Sequence, residues 1–121
     1  MSTPRSAIAI ALLSCATFAT AHAASGEDLS ECVDLSSQHE TARFGSQYLL
    51  IKDGESHYRL GFGGSCGEIA IATRVQIRAE GKESRICPRG TTVLTKRGSC
   101  TVRGIASISA EQYDSYARRG R

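Results

Sequence analysis

The sequence has 121 residues and a formal net charge of +3, with 15 lysines and arginines against 12 aspartates and glutamates. This balance lacks the strongly basic composition typical of a nucleic-acid-binding domain, and it is too mild to identify an acidic partner. We expect one domain at this length.

The first 23 residues have the three parts of a secretory signal peptide. Arg5 supplies the positive charge, residues 7–20 form an apolar run without a charged side chain, and Ala21-His22-Ala23 supplies small residues at the cleavage positions. The apolar run is short for a membrane span, so no transmembrane segment is expected after cleavage. We therefore predict a periplasmic or secreted protein whose mature chain begins at Ala24.

A second export signal overlaps the first. Leu12-Leu13-Ser14-Cys15 approaches a lipoprotein signal, in which Cys15 would carry the lipid and anchor the protein to a membrane. The residues after Cys15 are still apolar, whereas a membrane tether is normally polar and flexible. Cleavage after Ala23 is therefore favoured, and lipidation of Cys15 is kept as the alternative.

The mature chain divides into a flexible leader over 24–31 and a single β domain over 32–121. The domain holds four cysteines, and an even number of cysteines in an exported domain indicates two disulfides. Four cysteines allow three pairings. We favour Cys32–Cys100, which would join the first and last strands, together with Cys66–Cys87, which would brace the central hairpin.

The same spacings argue against other uses of the cysteines. No pair has the C-x-x-C spacing of a redox motif, and the only mature histidines, His39 and His57, are isolated from one another and from the cysteines. The sequence therefore predicts no metal site and no cofactor.

The first clear element in chain order is a β-hairpin. Tyr48–Ile51 is an apolar run of β-forming residues, Asp53-Gly54 is a strong turn signal, and apolar and polar residues alternate over His57–Phe62. The alternation predicts that Tyr58, Leu60 and Phe62 are buried while His57 and Arg59 face outward.

The next segment, Gly61–Gly67, is rich in glycine but is not a dinucleotide-binding loop, because Cys66 stands where G-x-G-x-x-G needs its third glycine. We predict a turn that carries a disulfide. Glu68–Ala72 is compatible with a strand or with one helical turn. Three further strands are predicted: Thr73–Arg78, Thr91–Thr95 and Thr101–Ile108.

The C-terminus departs from this pattern. Ser109–Gln112 is a capping box, and the helix that it would start carries Tyr113, Tyr116 and Ala117 on one face. We expect these tyrosines to dock the helix, and the tail Arg118–Arg121 to be solvated. The whole pattern predicts a mainly β fold, a small antiparallel sandwich or barrel with a short C-terminal helix and two disulfides.

Two groups of residues are candidates for function. Arg59, Arg74 and Arg78 occupy outward positions of predicted strands and are a candidate anion-binding surface. His39 and His57 are the plausible bases at neutral pH, but neither belongs to a recognisable serine, cysteine or metal motif, so no catalytic residue is assigned.

The order of short motifs from Tyr48 to Ile108 resembles a known family. The motifs are the hairpin, Ser65-Cys66-Gly67, Ile86-Cys87-Pro88 and Gly98-Ser99-Cys100, with Cys32 in the place of a first cysteine. The chain is similar in these features to small exported proteobacterial proteins that are grouped as a domain of unknown function, some of them lipoproteins. The resemblance implies export, disulfides and a β-rich fold, and it implies no activity.

Taken together, these features favour an exported, non-enzymatic module of the cell envelope that binds a protein or polymer partner, with no role for nucleic acid. Two alternatives are kept. One is an inhibitor of a secreted hydrolase that presents the loop Gly61–Gly67, and the other is a small hydrolase or lyase that uses His57 with neighbouring Arg59.

Overall fold

The computed structural model describes residues 26–120, which form eleven strands and two helices. The predicted signal peptide and Cys15 lie outside the described residues. The elements are β1 (Glu27–Asp28), β2 (Val33–Asp34), β3 (Glu40–Phe44), β4 (Tyr48–Asp53), β5 (Ser56–Gly61), α1 (Gly67–Ala70), β6 (Gln76–Ala79), β7 (Lys82–Glu83), β8 (Arg85–Ile86), β9 (Thr91–Thr95), β10 (Gly98–Thr101), β11 (Gly104–Ile108) and α2 (Ala110–Arg119).

The strands form antiparallel sheets, which confirms the predicted mainly β fold. A five-stranded sheet has the order β1-β11-β5-β4-β3, and a four-stranded sheet has the order β10-β9-β6-β7. A short third sheet pairs β2 with β8. Strands β1 and β3 are therefore the edges of the larger sheet.

The two larger sheets share one hydrophobic core. The inner face of the five-stranded sheet contributes Leu49, Ile51 and Leu60, which are fully buried, and the four-stranded sheet contributes Ile77 and Val93 from the other side. Tyr58, Leu60 and Phe62 are all buried in this core, as the alternation in the sequence predicts. The molecule is thus a two-layer β fold over this part of the chain.

Helix α2 covers the opposite, outer face of the five-stranded sheet. Ser109 caps the helix through the predicted capping box with Gln112. Tyr113 is buried against Leu50 and Ile108, and Ala117 packs at the margin of the same cluster. The tyrosine face of the helix therefore docks on the sheet, as predicted.

This helix overturns one prediction about strand β5. His57 and Arg59 do lie on the face opposite Leu60, but that face is not open to solvent: His57 is only 7% exposed, and Arg59 is half-buried. The alternation of side chains along a strand assigns residues to two faces. It does not predict whether an element later in the chain covers the second face.

The hairpin turn lies one residue later than the Asp-Gly signal suggests. Asp53 pairs with Ser56, so the two central residues of the turn are Gly54 and Glu55. Gly54 takes a φ of 60° at the first central position, whereas Glu55 at the second is not among the residues with positive φ. This combination fits a type II′ turn, because the type I′ turn that Asp-Gly favours needs a positive φ at both central residues.

Two disulfides are present, but the predicted pairing is wrong. Cys32 is joined to Cys87, and Cys66 is joined to Cys100. Cys32 directly precedes β2, whose Val33 pairs with Ile86 of β8, so strand pairing brings Cys32 opposite Cys87. Cys66 directly precedes α1, and α1 packs on β10, which carries Cys100.

Several strands occur where the sequence shows no strand signal, among them β1 and β3. β1 lies inside the predicted flexible leader, where Glu27 pairs with Ser107 of β11 and the Leu29 N–H donates to the Ile105 carbonyl. β3 precedes the predicted hairpin and pairs with β4 along its whole length. The predicted strand Thr73–Arg78 begins later than expected, because β6 spans Gln76–Ala79, and Arg74 therefore lies in the preceding loop.

Within residues 26–120, neither helix has the length and hydropathy required to span a membrane.

Candidate functional site

The most distinctive surface feature is a cluster of three aromatic rings and two guanidinium groups at one end of the outer face. We call Phe44, Tyr48, Arg59, Tyr116 and Arg119 the arginine–aromatic cluster. The guanidinium carbon of Arg59 lies 5.1 Å from the centre of the Tyr48 ring and 5.7 Å from that of Tyr116. The guanidinium of Arg119 lies 5.4 Å from the Phe44 ring and 5.3 Å from the Tyr116 ring. Each cation thus sits within cation–π distance of two rings.

Strand register explains why these residues meet. Phe44 pairs with Tyr48 across β3 and β4, and Tyr48 in turn pairs with Gly61 of β5. A side chain on Gly61 would crowd the Tyr48 ring, since a Cβ there would lie 3.3 Å from Cε1 of that ring. Gly61 therefore leaves room for the Tyr48 ring. This ring lies on the same face of the sheet as Arg59, which is two residues before Gly61 on β5.

Helix α2 supplies the remaining two members. Tyr116 is one helical turn beyond Tyr113, and its hydroxyl accepts a hydrogen bond of 2.8 Å from Nη1 of Arg59. Arg119 lies in the last turn, where a cation is favoured by the negative end of the helix dipole. The cluster thus joins three strands to the end of a helix.

The two guanidinium groups keep most of their hydrogen-bonding capacity. Among the ion pairs between described residues, none involves Arg59 or Arg119. Arg59 donates to Tyr116, and Arg119 donates from Nε to the Ser115 carbonyl at 3.4 Å. A guanidinium has five N–H donors in a planar fork that fits a carboxylate, so both arginines can still bind an anionic ligand.

Two shallow grooves flank the cluster on either side of the turn at residues 45–47. The first, of about 460 Å³, lies between that turn and the end of α2 and is lined in part by Phe44 and Arg119. The second, of about 500 Å³, lies between the turn and the glycine-rich loop and is lined in part by Tyr48 and Ser65. No charged residue lines the second groove among the described residues.

The structure separates the three arginines that the sequence grouped as an anion-binding surface. Arg59 belongs to the arginine–aromatic cluster on the five-stranded sheet. Arg78 lies on β6 of the four-stranded sheet, where it forms an exposed ion pair of 3.5 Å with Glu83. Arg74 is exposed in the loop before β6 and lines a different groove. Anion binding by Arg74 and Arg78 remains a prediction, but they share no surface with Arg59.

The candidate catalytic histidine has structural contacts. The His57 ring lies 5.2 Å from the Tyr113 ring, and its Nδ1 is 3.1 Å from the Glu55 carbonyl oxygen. With 7% of the residue exposed, this imidazole is part of the contact between β5 and α2. Burial of Tyr113 there raises the pKa of its hydroxyl, and the negative charges of Glu40 and Asp114 act in the same direction.

Each disulfide lies beside a glutamate. Oε1 of Glu80 is 2.8 Å from Sγ of Cys32, and Oε2 of Glu68 is 3.5 Å from Sγ of Cys100. These Cys₂Glu groups have the closeness of metal ligands, but the sulfurs are bonded to one another and are not thiolates.

Sequence reasoning found only part of the cluster. Arg59 was predicted as an anion-binding residue and Tyr116 as a docking residue, whereas Phe44 and Tyr48 were not singled out. Arg119 was expected in a solvated tail, but it lies in the last turn of α2 and stacks on two rings of the cluster. Tyr48, Leu50 and Lys52 alternate along β4 and therefore share one face of the strand. This alternation is the signal that places Tyr48 on the outer face.

Comparison of the chain with protein-family models, with curated proteins and with solved structures gave no match. The candidate site therefore has to be interpreted from its own chemistry.

Proposed function

We propose that this protein is an exported, non-enzymatic binding module that holds a carboxylate-bearing polysaccharide of the cell envelope on the arginine–aromatic cluster. The single observation that carries the proposal is the stacking of two arginines, free of carboxylate partners within residues 26–120, against three aromatic rings beside two open grooves.

The two arginines of the cluster suit an anionic group of the ligand. Carboxylates bind guanidinium groups through paired N–H donors, and arginines held by aromatic rings lose less side-chain freedom when they bind. Arg59 is fixed by two rings and by the Tyr116 hydroxyl, so its fork is already oriented. Arg59 and Arg119 both lie near the C-terminal end of α2, and two neighbouring arginines suit a polymer that carries repeated carboxylates.

The groove beside Tyr48 suits the sugar rings of the ligand. The groove between residues 45–47 and the glycine-rich loop combines the Tyr48 ring with hydroxyl and amide groups of Ser46, Gln47 and Ser65. An aromatic face beside short polar side chains suits a sugar, whose ring has apolar C–H surfaces and hydroxyl edges. A polysaccharide would place sugar rings there and carboxylates on Arg59 and Arg119.

Export supports the same partner. The two disulfides are compatible with an oxidising compartment outside the cytoplasm, where envelope polysaccharides are found. The predicted signal peptide agrees with this location.

Binding to alginate, a polymer of uronic acids, tests the proposal, with neutral dextran as the reference polymer. We expect Arg119→Gln to weaken alginate binding about five- to tenfold at low salt and to reduce its salt dependence. Arg89→Gln is the matched control, because Arg89 is exposed in the bend after Cys87, away from the cluster. It should change the affinity less than twofold.

A double variant separates the effect of this cluster from that of the other arginines. The double variant Arg74→Ser/Arg78→Ser removes the two arginines that the sequence grouped with Arg59, and it should leave alginate binding unchanged. If this double variant, Arg89→Gln and Arg119→Gln all weaken alginate binding equally, the polymer responds only to the net charge of the protein. That result, or equal binding of dextran, would reject the proposed site.

An inhibitor of a secreted hydrolase is the second candidate, because the glycine-rich loop is both exposed and anchored. Gly63, Gly64 and Ser65 are exposed, Cys66 ties the loop to β10, and its backbone N–H donates to the Ser46 carbonyl at 2.7 Å. Rigid loops of this kind suit an active-site cleft. Inhibition of a secreted protease or glycosidase that is lost in Ser65→Arg but retained in Arg119→Gln would favour this candidate.

A further inference from the structure

The edge strand β3 lies between two cavities that meet along its length. One cavity, of about 750 Å³, runs from β3 to helix α2, and the other, of about 370 Å³, runs from β3 to the loop at residues 72–75. Thr41 and Arg43 line both cavities. We call this combined feature the β3 edge groove: residues 40–43 between α2 on one side and residues 70–75 on the other.

Backbone geometry indicates which peptide groups of β3 are open. The Phe44 carbonyl accepts a hydrogen bond of 3.2 Å from the Gln47 N–H inside the turn, so Phe44 is directed towards β4. Backbone groups of successive residues in an antiparallel pair alternate in direction, so Thr41 and Arg43 are directed away from β4. Gly120 lies against the Arg43 carbonyl, where any side chain on Gly120 would collide.

The C-terminal end of β3 is therefore closed by Gly120, whereas its other end is open. Thr41 is exposed, and among residues 26–120 it forms no backbone hydrogen bond outside the sheet. An edge strand with unpaired N–H and C=O groups is a template for another extended chain. The surrounding groove gives that chain a place for its side chains on both faces.

The two sides of the groove differ in chemistry. The side next to residues 72–75 carries His39, Arg43 and Arg74, and its lining contains no carboxylate among the described residues. The side next to α2 carries Ala42 and Ala117, and its charged residues are mixed, with Glu40 and Asp114 against Arg43 and Arg118. A strand added to β3 would direct alternate side chains to these two sides.

We propose that β3 binds an extended peptide segment of a partner protein as an added strand, in which acidic side chains facing His39 and Arg74 alternate with small or apolar side chains facing α2. The N–H and C=O groups of Thr41 form the backbone hydrogen bonds to the added strand. Arg74 favours acidic over basic side chains in that strand. This site is distinct from the arginine–aromatic cluster, and it does not depend on polysaccharide binding.

The experiment uses two fluorescent hexapeptides, one with the repeat Val-Glu and one with the repeat Val-Lys, titrated with the mature protein. We expect binding of the acidic peptide and little binding of the basic one. Thr41→Pro removes the outward N–H without removing a bond to β4, since proline is tolerated at edge positions. It should weaken binding of the acidic peptide about tenfold or more.

Matched controls separate pairing from folding and from charge. Thr41→Val keeps the N–H and the branched side chain, so it should bind within twofold of the parent, and circular dichroism should show that both Thr41 variants fold. Arg74→Ser should weaken acidic-peptide binding severalfold and flatten its salt dependence, whereas Arg89→Ser should not.

Three results would overturn the proposal. The first is unchanged binding by a folded Thr41→Pro variant, and the second is equal binding of the acidic and basic peptides. The third is a parent protein that dimerises in analytical ultracentrifugation and becomes monomeric in Thr41→Pro, because the occupant of the groove would then be a second copy of this chain.

Discussion

The two faces of the five-stranded sheet are buried in different ways. The inner face packs aliphatic residues such as Leu49 and Leu60 against a second sheet. The outer face is covered by one ten-residue helix and includes His57 and Arg59 among its contacts. A second sheet excludes polar groups from the core, whereas a single short helix leaves a rim where charged and aromatic side chains reach solvent. The candidate site lies on that rim.

This contrast suggests that stability and binding are carried by opposite faces. Both disulfides support the inner layer, since Cys66 and Cys100 pack in the inner core and Cys87 is buried beside Ile86. Neither disulfide takes part in the cluster beneath α2. Changes to the inner layer should therefore lower the global stability, and changes to the outer face should first loosen α2.

The largest effects are expected from removal of a disulfide, and Cys66–Cys100 is the disulfide whose two cysteines both pack in the inner core. The two cysteines are 34 residues apart, and the chain-entropy model assigns such a crosslink about 4 kcal/mol of the free energy of unfolding. The variant Cys66→Ser/Cys100→Ser should therefore unfold at a much lower urea concentration than the parent. A loss below about 1 kcal/mol would show that the inner layer does not need this crosslink.

Two neighbouring leucines give the most direct comparison of the faces. Leu49 and Leu50 are both 0% exposed, but Leu49 lies in the inner core and Leu50 lies under α2. Leu49→Ala leaves a cavity between two sheets that cannot easily collapse, so we expect a loss of about 3 kcal/mol. For Leu50→Ala we expect about 2 kcal/mol, because the helix can move inward. Urea unfolding of both variants measures the difference.

Hydrogen exchange distinguishes the two variants further. Leu50→Ala should speed exchange of the α2 amides while those of β4 stay protected, because the helix opens without the sheet. Leu49→Ala should speed exchange in both elements together. If the two variants behave alike, the faces form a single cooperative unit and the comparison fails.

The sequence predicted the inner face better than the outer one. Alternation over His57–Phe62 correctly identified Tyr58, Leu60 and Phe62 as core residues, because burial of one strand face is a local pattern. The capping box and the tyrosine face of α2 were also correctly predicted. What could not be derived is that this helix returns to cover β5, a long-range contact between residues 57 apart in the chain.

The disulfide pairing and the cluster were missed for the same reason. The pairing of Cys32 with Cys87 depends on β2 and β8, two-residue strands that are too short to give a periodic signal. Likewise, β3 brings Phe44 beside Tyr48, and no strand was predicted there. Single residues such as Arg59 could be selected as candidates, but their partners depend on strand order.

A smaller effect is expected at the start of α2. The Ser109 hydroxyl accepts a hydrogen bond of 3.1 Å from the Gln112 N–H, and the Gln112 side chain returns a bond to the Ser109 N–H. Ser109→Ala removes the cap and should cost about 1 kcal/mol. Ser107→Ala, in the exposed part of β11, is the control and should cost much less. Thermal unfolding of both variants measures the difference, and equal losses would show that the cap does not stabilise the docked helix.

The smallest expected effect is a loss of stability at alkaline pH, and it again distinguishes the outer face from the inner one. Burial under α2, with help from Glu40 and Asp114, raises the pKa of the Tyr113 hydroxyl above its ordinary value of 10.0. A group whose pKa is higher in the folded state contributes stability that is fully present below its unfolded pKa and is lost as the pH rises through its folded pKa. The protein should therefore become less stable above about pH 10, and the loss should begin at α2. Tyr113→Phe removes this ionisation, so urea unfolding of this variant should depend less on pH between about pH 9 and pH 11 than that of the parent. An identical pH dependence in the two proteins would mean that Tyr113 does not link the outer face to alkaline pH.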